Sequence, residues 1–265
     1  MPPDSFDRLA DFDPVSLDAL DERASLQRRV DQKYVVTLEQ LDDVLAALQA
    51  DHDVLDIDGC RTFDYRSVYF DTPDHRCFVD HVRDRKPRFK LRTRHYVTTD
   101  GCVFEVKIKH PDGGTDKKSI DYDGEAAERL TDAARDLLKE SLGAVEVEPP
   151  SDLRPTLVTE FRRSTLGLRE GAERTTIDRG MRLRCGDDAL CLRDDRALLE
   201  TKTADGDGRA DRALRDAGVE PVSFSKYRLG IGRLVHPGAD PGYADPLAPA
   251  FERRAAAVRS AGSSA

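Results

Sequence analysis

The sequence predicts an α+β fold dominated by antiparallel strands, on the basis of three observations. Short runs such as 88–97 and 101–109 alternate charged with apolar or β-branched residues, and successive side chains of a strand point to opposite faces. Turn signals such as Asp100-Gly101 separate these runs. Amphipathic stretches such as 37–48 have the spacing of helices that cover a sheet.

The elements can be assigned in chain order from these signals. Residues 5–27 are predicted as one or two short helices, and a strand around Lys33 leads into the helix 37–48, where Thr37 and Gln40 form a capping box. Strands are then predicted at 63–70, 78–83, 88–97, 101–109 and 117–122, followed by a helix over 125–142. Further strands follow at 155–168, 173–178, 181–185, 189–193 and 196–203, then a helix near 209–217, a strand-like segment at 222–229 and a short helix near 249–259.

No linker divides the chain into separate domains. We therefore expect an N-terminal helical segment over 1–24 and one main domain over 25–236. The remaining residues, 237–265, are rich in Ala, Gly, Pro and Ser, and are predicted to be a flexible tail.

Composition excludes several classes of protein. No run approaches the roughly 20 apolar residues of a membrane helix, and the N-terminus has no apolar signal region. The five cysteines lack a C-x-x-C pair, and the six histidines show no metal-binding spacing, so neither a disulfide framework nor a zinc site is expected. A reduced, cytoplasmic location is the expectation.

The common nucleotide-binding and nucleophile motifs are also missing. The chain has neither the P-loop G-x-x-x-x-G-K-[ST] nor a G-x-G-x-x-G run after a strand, and it has no nucleophile elbow. Any chemistry must therefore come from the charged strands, and no protein nucleophile is expected.

The positive charge is concentrated in those strands. The formal net charge is −9, yet the charged positions of the predicted strands are mostly Lys and Arg. A single strand of this kind is more often a solvated edge that uses Lys against aggregation. Several such strands in an acidic protein favour capture of an anion by a local field. We expect a polyanion as the partner, and no nucleic acid.

Eight motifs occur along the chain in a fixed order. They are Arg29-x-Asp31-x-Lys33-Tyr34, Ser67-Val68-Tyr69-Phe70-Asp71-Thr72, Lys90-Leu91-Arg92-Thr93-Arg94, Phe104-Glu105-Val106-Lys107, Pro155 to Arg163, Arg174-Thr175-Thr176-Ile177-Asp178, Leu198-Leu199-Glu200-Thr201-Lys202 and Phe224-Ser225-Lys226-Tyr227. In this order they resemble the VTC domain, the catalytic part of polyphosphate polymerases of the vacuolar transporter chaperone type. That domain belongs to the triphosphate tunnel metalloenzymes, which are related to the CYTH proteins. The resemblance covers about residues 25–235.

The resemblance implies a fold and a set of site residues. The fold is an antiparallel β-barrel that closes into a tunnel, with helices packed outside and charged side chains inside. The implied phosphate- and substrate-binding residues are Lys33, Arg92, Arg94, Lys107, Lys118, Arg163, Arg174, Lys202 and Lys226. The implied ligands of a divalent metal, Mn²⁺ or Mg²⁺, are Glu200 and Glu105.

Alternatives remain open for the acidic residues. Glu200 could instead form an internal ion pair with Lys202 or a neighbouring Arg. Glu105 and Asp178 could add to the metal shell or neutralise Lys107 and Arg174.

The implied function is a metal-dependent transfer of the terminal phosphate of ATP onto inorganic polyphosphate. The alternatives are a hydrolase of tripolyphosphate or nucleoside triphosphate, and a non-catalytic polyphosphate-binding module. The implied partners are ATP, polyphosphate, and pyrophosphate or triphosphate, with a separately encoded membrane partner as an option.

Two departures from the family pattern bear on this interpretation. Arg29 and Asp31 stand before Lys33 where CYTH enzymes often have Glu-x-Glu, which argues against a small-molecule triphosphatase. Ser223 stands where the fungal polymerases have a lysine, so one phosphate contact is missing.

Overall fold

The computed structural model describes residues 7–23 and 29–255. Within them the chain forms two compact units, each assembled from three separate segments. Unit 1 comprises the described residues of 7–64, 161–181 and 192–224, and unit 2 comprises residues 65–160, 182–191 and 225–255. Because both units are discontinuous, no linker in the sequence could have revealed them.

The predicted α+β class is confirmed. The strands are β1 Asp13–Val15, β2 Val30–Thr37, β3 His52–Leu55, β4 Phe63–Asp71, β5 Arg88–Tyr96, β6 Gly101–Lys109, β7 Thr115–Asp121, β8 Arg154–Leu168, β9 Arg174–Cys185, β10 Asp188–Leu192, β11 Arg196–Thr203 and β12 Phe251–Ala255. The helices are α1 Leu17–Arg23, α2 Leu38–Leu48, α3 Arg76–Val82, α4 Asp132–Gly143, α5 Arg209–Asp216, α6 Lys226–Leu234 and α7 Pro241–Ala244.

In unit 1 the strand order is β2-β11-β9-β8-β3-β1. The β2-β11, β11-β9 and β3-β8 pairs are antiparallel, and β1 joins β3 in parallel. One face of β2, β9 and β11 carries Tyr34, Ile177 and Leu199, which are almost fully buried in a core with α2 and α5. The opposite face of the same strands is therefore the one available for charge.

In unit 2 the order is β12-β10-β9-β8-β4-β5-β6-β7, and strands β4 to β7 form an antiparallel meander. Strands β8 and β9 are long enough to supply residues to both units. Helix α4 packs on β6 and β7, and α3 packs on α6. The apolar side chains Leu91, Phe104 and Val106 lie on one face of the meander and are buried.

The expected barrel is the part of the fold prediction that needs correction. Among the described residues, the strand order of each unit is open, with β2 and β1 at the ends of one and β12 and β7 at the ends of the other. The hydrogen-bonded ladders thus form an open, mostly antiparallel arrangement rather than a closed ring.

The strand predicted at 78–83 is wrong. Residues 78–82 belong to α3, whose N-cap residue His75 forms no side-chain cap. The carboxylate of Asp71 instead accepts hydrogen bonds from the backbone N–H groups of Cys77 and Phe78, at 2.9 and 3.2 Å. Because the capping side chain precedes the N-cap position, the usual helix-start signal is absent.

Other elements follow the local signals closely. The capping box of α2 is present, with the Gln40 N–H donating to Thr37 Oγ1 and the Thr37 N–H donating to Gln40 Oε1. The helices expected over 5–27 are represented by a 3₁₀ turn at Asp7–Asp11 and by α1. Between them, Asp13–Val15 is strand β1 where a helical segment was expected, and residues 5–6 and 24–27 lie outside the described residues.

The C-terminal prediction is partly wrong. Residues 237–255 contain α7 and β12, and Leu247 and Phe251 are buried. The helix expected near 249–259 is a strand over Phe251–Ala255. Residues 256–265, the rest of the predicted tail, lie outside the described residues. Within the part of the chain that is described, no helix is long and apolar enough to cross a membrane.

Candidate functional site

Unit 2 carries a row of basic side chains on one face of β5, β6 and β7. On β5, Phe89 and Leu91 are buried, whereas Arg88, Lys90, Arg92 and Arg94 alternate with them and are half-buried. The register continues the row onto the neighbouring strands through the pairs Lys90–Lys107 and Lys107–Lys117. The name basic face is used below for Arg88, Lys90, Arg92, Arg94, Lys107 and Lys117.

Glu105 is a carboxylate at the centre of this basic face. It lies opposite Arg92, whose Nε donates to Glu105 Oε2 at 2.6 Å, and Lys117 Nζ donates to Oε1 at 3.1 Å. Arg94 Nε is 3.8 Å from Oε2. Burial would raise the pKa of Glu105, but Arg92, Arg94 and Lys117 outweigh it and lower the pKa to about 2. Glu105 is therefore ionised and fully engaged by cations.

Arg92 is also held from the side of β4. Its Nη1 donates to the phenol oxygen of Tyr69 at 2.9 Å, and its guanidinium lies 5.6 Å from the centre of that ring. The Tyr69 ring stacks on Tyr227, with ring centres 5.2 Å apart. The Tyr227 hydroxyl donates to Asp71, the carboxylate that caps α3.

Lys90 lies at the other end of the row. Its Nζ donates to Ser225 Oγ at 3.0 Å, and Ser225 is the N-cap of α6. Burial, followed by the charges of Lys107 and Arg88, lowers the pKa of Lys90 to about 7. The same local field acts on His81, since burial and then Lys90 and Arg228 lower the pKa of that imidazole to about 2.

Lys226 follows Ser225 directly, but it lies on a helix and not on the predicted strand. It is the first residue of α6, and the backbone N–H of Arg228 donates to Ser225 Oγ at 3.3 Å. Its charge nevertheless reaches the basic face. Burial of Tyr69 would raise the phenol pKa, but the charges of Arg92, Lys226 and Arg94 lower it.

Lys118 lies on the other face of the sheet. It pairs with Val106, a buried residue, and its Nζ donates to Glu140 of α4 at 2.8 Å. The neighbouring Lys117 pairs with Lys107 instead and belongs to the basic face. The side chains of a strand alternate, so only one of the two adjacent lysines can share a face with Lys107.

Unit 1 carries a second set of charged residues across β2, β11 and β9. In the register, Lys33 and Thr176 flank Glu200, while Asp31 and Arg174 flank Lys202. The name charged face is used below for Lys33, Glu200, Lys202 and Arg174 together with Arg163 of β8. On Lys202, burial is the largest effect and lowers the pKa, and Glu200 opposes that shift.

Glu200 is the carboxylate that the family resemblance implies as a ligand of a divalent metal. Its Oε1 is 3.2 Å from Lys202 Nζ, which is the ion pair considered as the alternative role. The described residues contain no group of three or more His, Cys, Asp or Glu side chains able to hold a metal by themselves. Mg²⁺ is often bound by one or two carboxylates together with substrate phosphates and water. The residues present therefore fit a metal that is shared with a phosphate substrate.

Two arginines of the charged face are held by acidic partners. Arg163 donates to both oxygens of Asp178, at 2.6 and 2.8 Å, in a buried bidentate pair. Arg174 Nη2 donates to Asp21 at 2.6 Å and to the Leu20 carbonyl at 3.1 Å, both on α1.

Arg88, Lys90 and Lys117 of the basic face were not among the expected ligands, and neither was Tyr69 of β4, which bonds to Arg92. Tyr69 and Lys90 lie within quoted motifs but were read as part of the strand pattern. Lys117 could have been chosen over Lys118 from Ile120, because an apolar residue two positions from Lys118 marks the buried face.

A family model of the VTC domain matches residues 28–235 of this chain. The match covers most of the sequence, and the chain belongs to the VTC domain family. This confirms the resemblance drawn from the eight motifs, and it associates the protein with polyphosphate and triphosphate chemistry. A comparison with curated protein sequences finds no match.

Several solved structures are similar to this chain at low identity. One is a proposed adenylyl cyclase from Hippeastrum, described as having a dominant triphosphatase activity, with 15% identity and a TM-score of 0.49 over 79% of this chain and 98% of that chain. Another is a protein from Pyrococcus horikoshii, with 13% identity and a TM-score of 0.43 over 77% and 96%. A third is a proposed adenylate cyclase from Vibrio parahaemolyticus, with 14% identity and a TM-score of 0.42 over 75% and 95%.

Proposed function

We propose that this protein is a polyphosphate polymerase that transfers the terminal phosphate of ATP onto a polyphosphate chain. The observation that carries the proposal is the basic face of unit 2, where positive side chains are packed side by side in a protein of net charge −9. Membership of the VTC domain family supports the choice of phosphate as the anion.

Arg92, Arg94, Lys107 and Lys226 would bind the phosphates. The planar guanidinium of arginine can donate to two phosphate oxygens at once, whereas lysine acts as a point charge on a flexible side chain. The partial burial of Arg92 and Arg94 strengthens these interactions, because water screens the charges less there than at an open surface. Lys118 forms an ion pair with Glu140 on the opposite face, so Lys117 is the better candidate on this strand.

In unit 1, Lys33 and Lys202 would bind phosphate oxygens beside Glu200. Glu200 would hold the divalent metal, Mn²⁺ or Mg²⁺, which neutralises developing charge on the transferred phosphoryl group. Glu105 is engaged by Arg92 and Lys117, and a role in neutralising the basic face suits it better than a role as metal ligand. The Arg163–Asp178 pair and the contacts of Arg174 with α1 would hold these two arginine side chains of the charged face in place before the substrate binds.

No protein nucleophile is required by this reaction. Phosphoryl transfer through a loose transition state depends on positioning and on stabilisation of charge rather than on a covalent intermediate. The Lys and Arg side chains, held by the strand register and by their carboxylate partners, would supply both. The acceptor is the end of a polyphosphate chain, and the products are a longer chain and ADP.

A hydrolase of tripolyphosphate or nucleoside triphosphate would use the same residues with water as the acceptor. A non-catalytic polyphosphate-binding module would need the basic face but not Glu200. Glu200, which lies between Lys33 and Thr176 in the register, favours an enzyme over a module. A membrane partner encoded elsewhere could receive the product.

The experiment that tests the proposal is incubation with ATP and Mn²⁺ or Mg²⁺, with free phosphate and long-chain polyphosphate measured in parallel. Polyphosphate formation without matching phosphate release supports the polymerase. Phosphate release alone would show a hydrolase. Binding of polyphosphate without turnover of ATP or tripolyphosphate under either metal would show a binding module.

A further inference from the structure

The guanidinium of Arg92 is fixed at two of its three nitrogens. Nε donates to Glu105 Oε2 at 2.6 Å, and Nη1 donates to the Tyr69 phenol at 2.9 Å. Across the described residues, Nη2 makes no hydrogen bond. An arginine has five N–H donors in a rigid fork, so the two contacts fix its plane and leave its outer edge for an anion.

Tyr69 is itself held in place from behind. It is 6% exposed, its ring stacks on Tyr227 with centres 5.2 Å apart, and its backbone carbonyl accepts from Thr156 Oγ1 at 3.2 Å. Tyr227 is anchored in turn by its hydroxyl bond to the buried Asp71. A side chain packed this firmly can set the direction of a flexible arginine beside it.

We propose that Tyr69 is a positioning residue that, together with Glu105, orients Arg92 so that its Nη2 edge faces a bound phosphate. The inference rests on the proposed function, because it assigns Tyr69 a role in phosphate binding through Arg92. Holding Arg92 before binding reduces the ordering entropy that phosphate binding would otherwise cost.

The phenol of Tyr69 also reports whether the basic face is occupied. The charges of Arg92, Lys226 and Arg94 favour the ionised phenolate and lower the pKa of Tyr69. A bound polyanion offsets those charges, so it disfavours the phenolate and raises that pKa. This shift depends on the position of Tyr69 next to the bound anion, and a tyrosine remote from the basic face would not show it.

The closing experiment measures tripolyphosphate affinity by calorimetry for the full chain and for Tyr69→Phe, which keeps the stacked ring and removes the hydroxyl. Ordering the Arg92 side chain on binding, which Tyr69 would otherwise have done beforehand, corresponds to a loss of affinity of up to about tenfold. Tyr122→Phe is the matched control, because the Tyr122 hydroxyl bonds to the backbone of Arg129 and Thr131, which are not part of the basic face. It should bind as the wild type does.

A double-mutant comparison separates positioning from general destabilisation. Arg92→Lys keeps the charge but lacks the fork, so Tyr69→Phe should change affinity less than about twofold in that background. A full tenfold loss in the Arg92→Lys background would overturn the proposal, since the effect would then not pass through Arg92.

Ultraviolet titration of tyrosine ionisation, with and without tripolyphosphate, tests the same inference in unmodified protein. One tyrosine should titrate at higher pH when tripolyphosphate is bound, and this change should be absent in Tyr69→Phe. An unchanged titration of the wild-type protein would contradict the proposed position of Tyr69 beside the bound anion, even if the Tyr69→Phe variant failed to fold.

If wild-type protein binds tripolyphosphate and Tyr69→Phe binds equally well, only the role of Tyr69 is wrong. If the wild type does not bind at all, the proposed function and this inference both fail.

Discussion

Lys90 lies directly opposite Lys107 on neighbouring antiparallel strands, with Lys117 next in the same row. Like charges in directly opposed cross-strand positions repel each other and destabilise a sheet. Lys90 donates to the hydroxyl of Ser225, a neutral group that does not offset the positive charge. The basic face therefore holds electrostatic repulsion that an anion can relieve.

Tripolyphosphate should raise the thermal stability of the protein at low salt. An anion that binds only the folded state stabilises it by about 2.7 kcal/mol when its concentration is a hundred times its Kd. The midpoint of thermal unfolding should rise with tripolyphosphate concentration, and the rise should shrink as salt screens the charges. Sodium chloride at matched ionic strength is the control. An unchanged midpoint in millimolar tripolyphosphate would contradict an anion-binding face.

Binding of tripolyphosphate should be accompanied by uptake of a proton. Burial, Lys107 and Arg88 lower the pKa of Lys90 to about 7, and a bound anion raises it again. Above pH 7 the empty protein has Lys90 largely neutral and the complex has it charged, so a proton is taken up and affinity falls as pH rises. Titration calorimetry in buffers of different ionisation enthalpy measures this uptake. His81, with a pKa of about 2, stays neutral throughout this range.

Lys90→Met should remove most of that uptake while leaving a measurable affinity. Equal proton uptake by wild type and Lys90→Met would show that another group titrates on binding. Lys139→Met is a suitable control, because Lys139 is exposed on α4 and is not part of the basic face.

The adjacent lysines of β7 offer a matched pair of variants. Lys117→Met removes a charge from the basic face and should weaken tripolyphosphate binding several-fold. Lys118→Met removes a charge from the opposite face, where Lys118 pairs with Glu140, and should leave binding nearly unchanged. Both variants change the net charge equally, so the comparison isolates the position of the charge. The reverse order of effects would mean that the strand register is misassigned.

Glu200→Gln should separate catalysis from binding. The variant keeps the size of the side chain but loses the charge that a divalent ion needs, so it should bind polyphosphate and lose ATP turnover. Arg94→Ala removes a phosphate contact and should weaken binding together with turnover. Both are measured with ATP and Mn²⁺ or Mg²⁺. If Glu200→Gln keeps full metal-dependent turnover, Glu200 is not a metal ligand and acts only as the ion-pair partner of Lys202.

Arg163→Met should destabilise the fold. It leaves the carboxylate of Asp178, which is 1% exposed, without its bidentate partner, and breaking a buried pair in this way typically costs about 3–5 kcal/mol. Denaturant unfolding measures the loss. Removing the charge of Asp178 as well, in Arg163→Met with Asp178→Leu, should recover much of the stability. A stable Arg163→Met with weakened phosphate binding would instead favour a direct ligand role.

Strand alternation accounts for most of what could be predicted about the basic face. On β5, a period of two places Arg88, Lys90, Arg92 and Arg94 on one face and Phe89 and Leu91 on the other, as the structure shows. The same period holds on β11 for Glu200 and Lys202. These placements depend only on local backbone geometry, which each segment of sequence specifies by itself.

The starts of α3 and α6 could not be predicted in the same way. The start of α3 depends on Asp71, at the end of β4, whose carboxylate accepts from the backbone N–H groups of Cys77 and Phe78. Likewise, Lys226 lies at a helix start because Ser225 caps α6, whereas its motif reads as a strand. In both cases the local pattern favours a strand, and a side-chain cap decides for a helix.

The sequence by itself determined the α+β class, most strand and helix positions, and the alternation of basic with apolar residues along the strands, because local periodicity fixes these properties. The tertiary structure alone decided that Tyr69 bonds to Arg92, that Glu105 is enclosed by three cations and that Arg163 is held by Asp178. Such contacts join residues on different strands. They arise only when the sheet brings those strands into register, and no single segment of the chain encodes them.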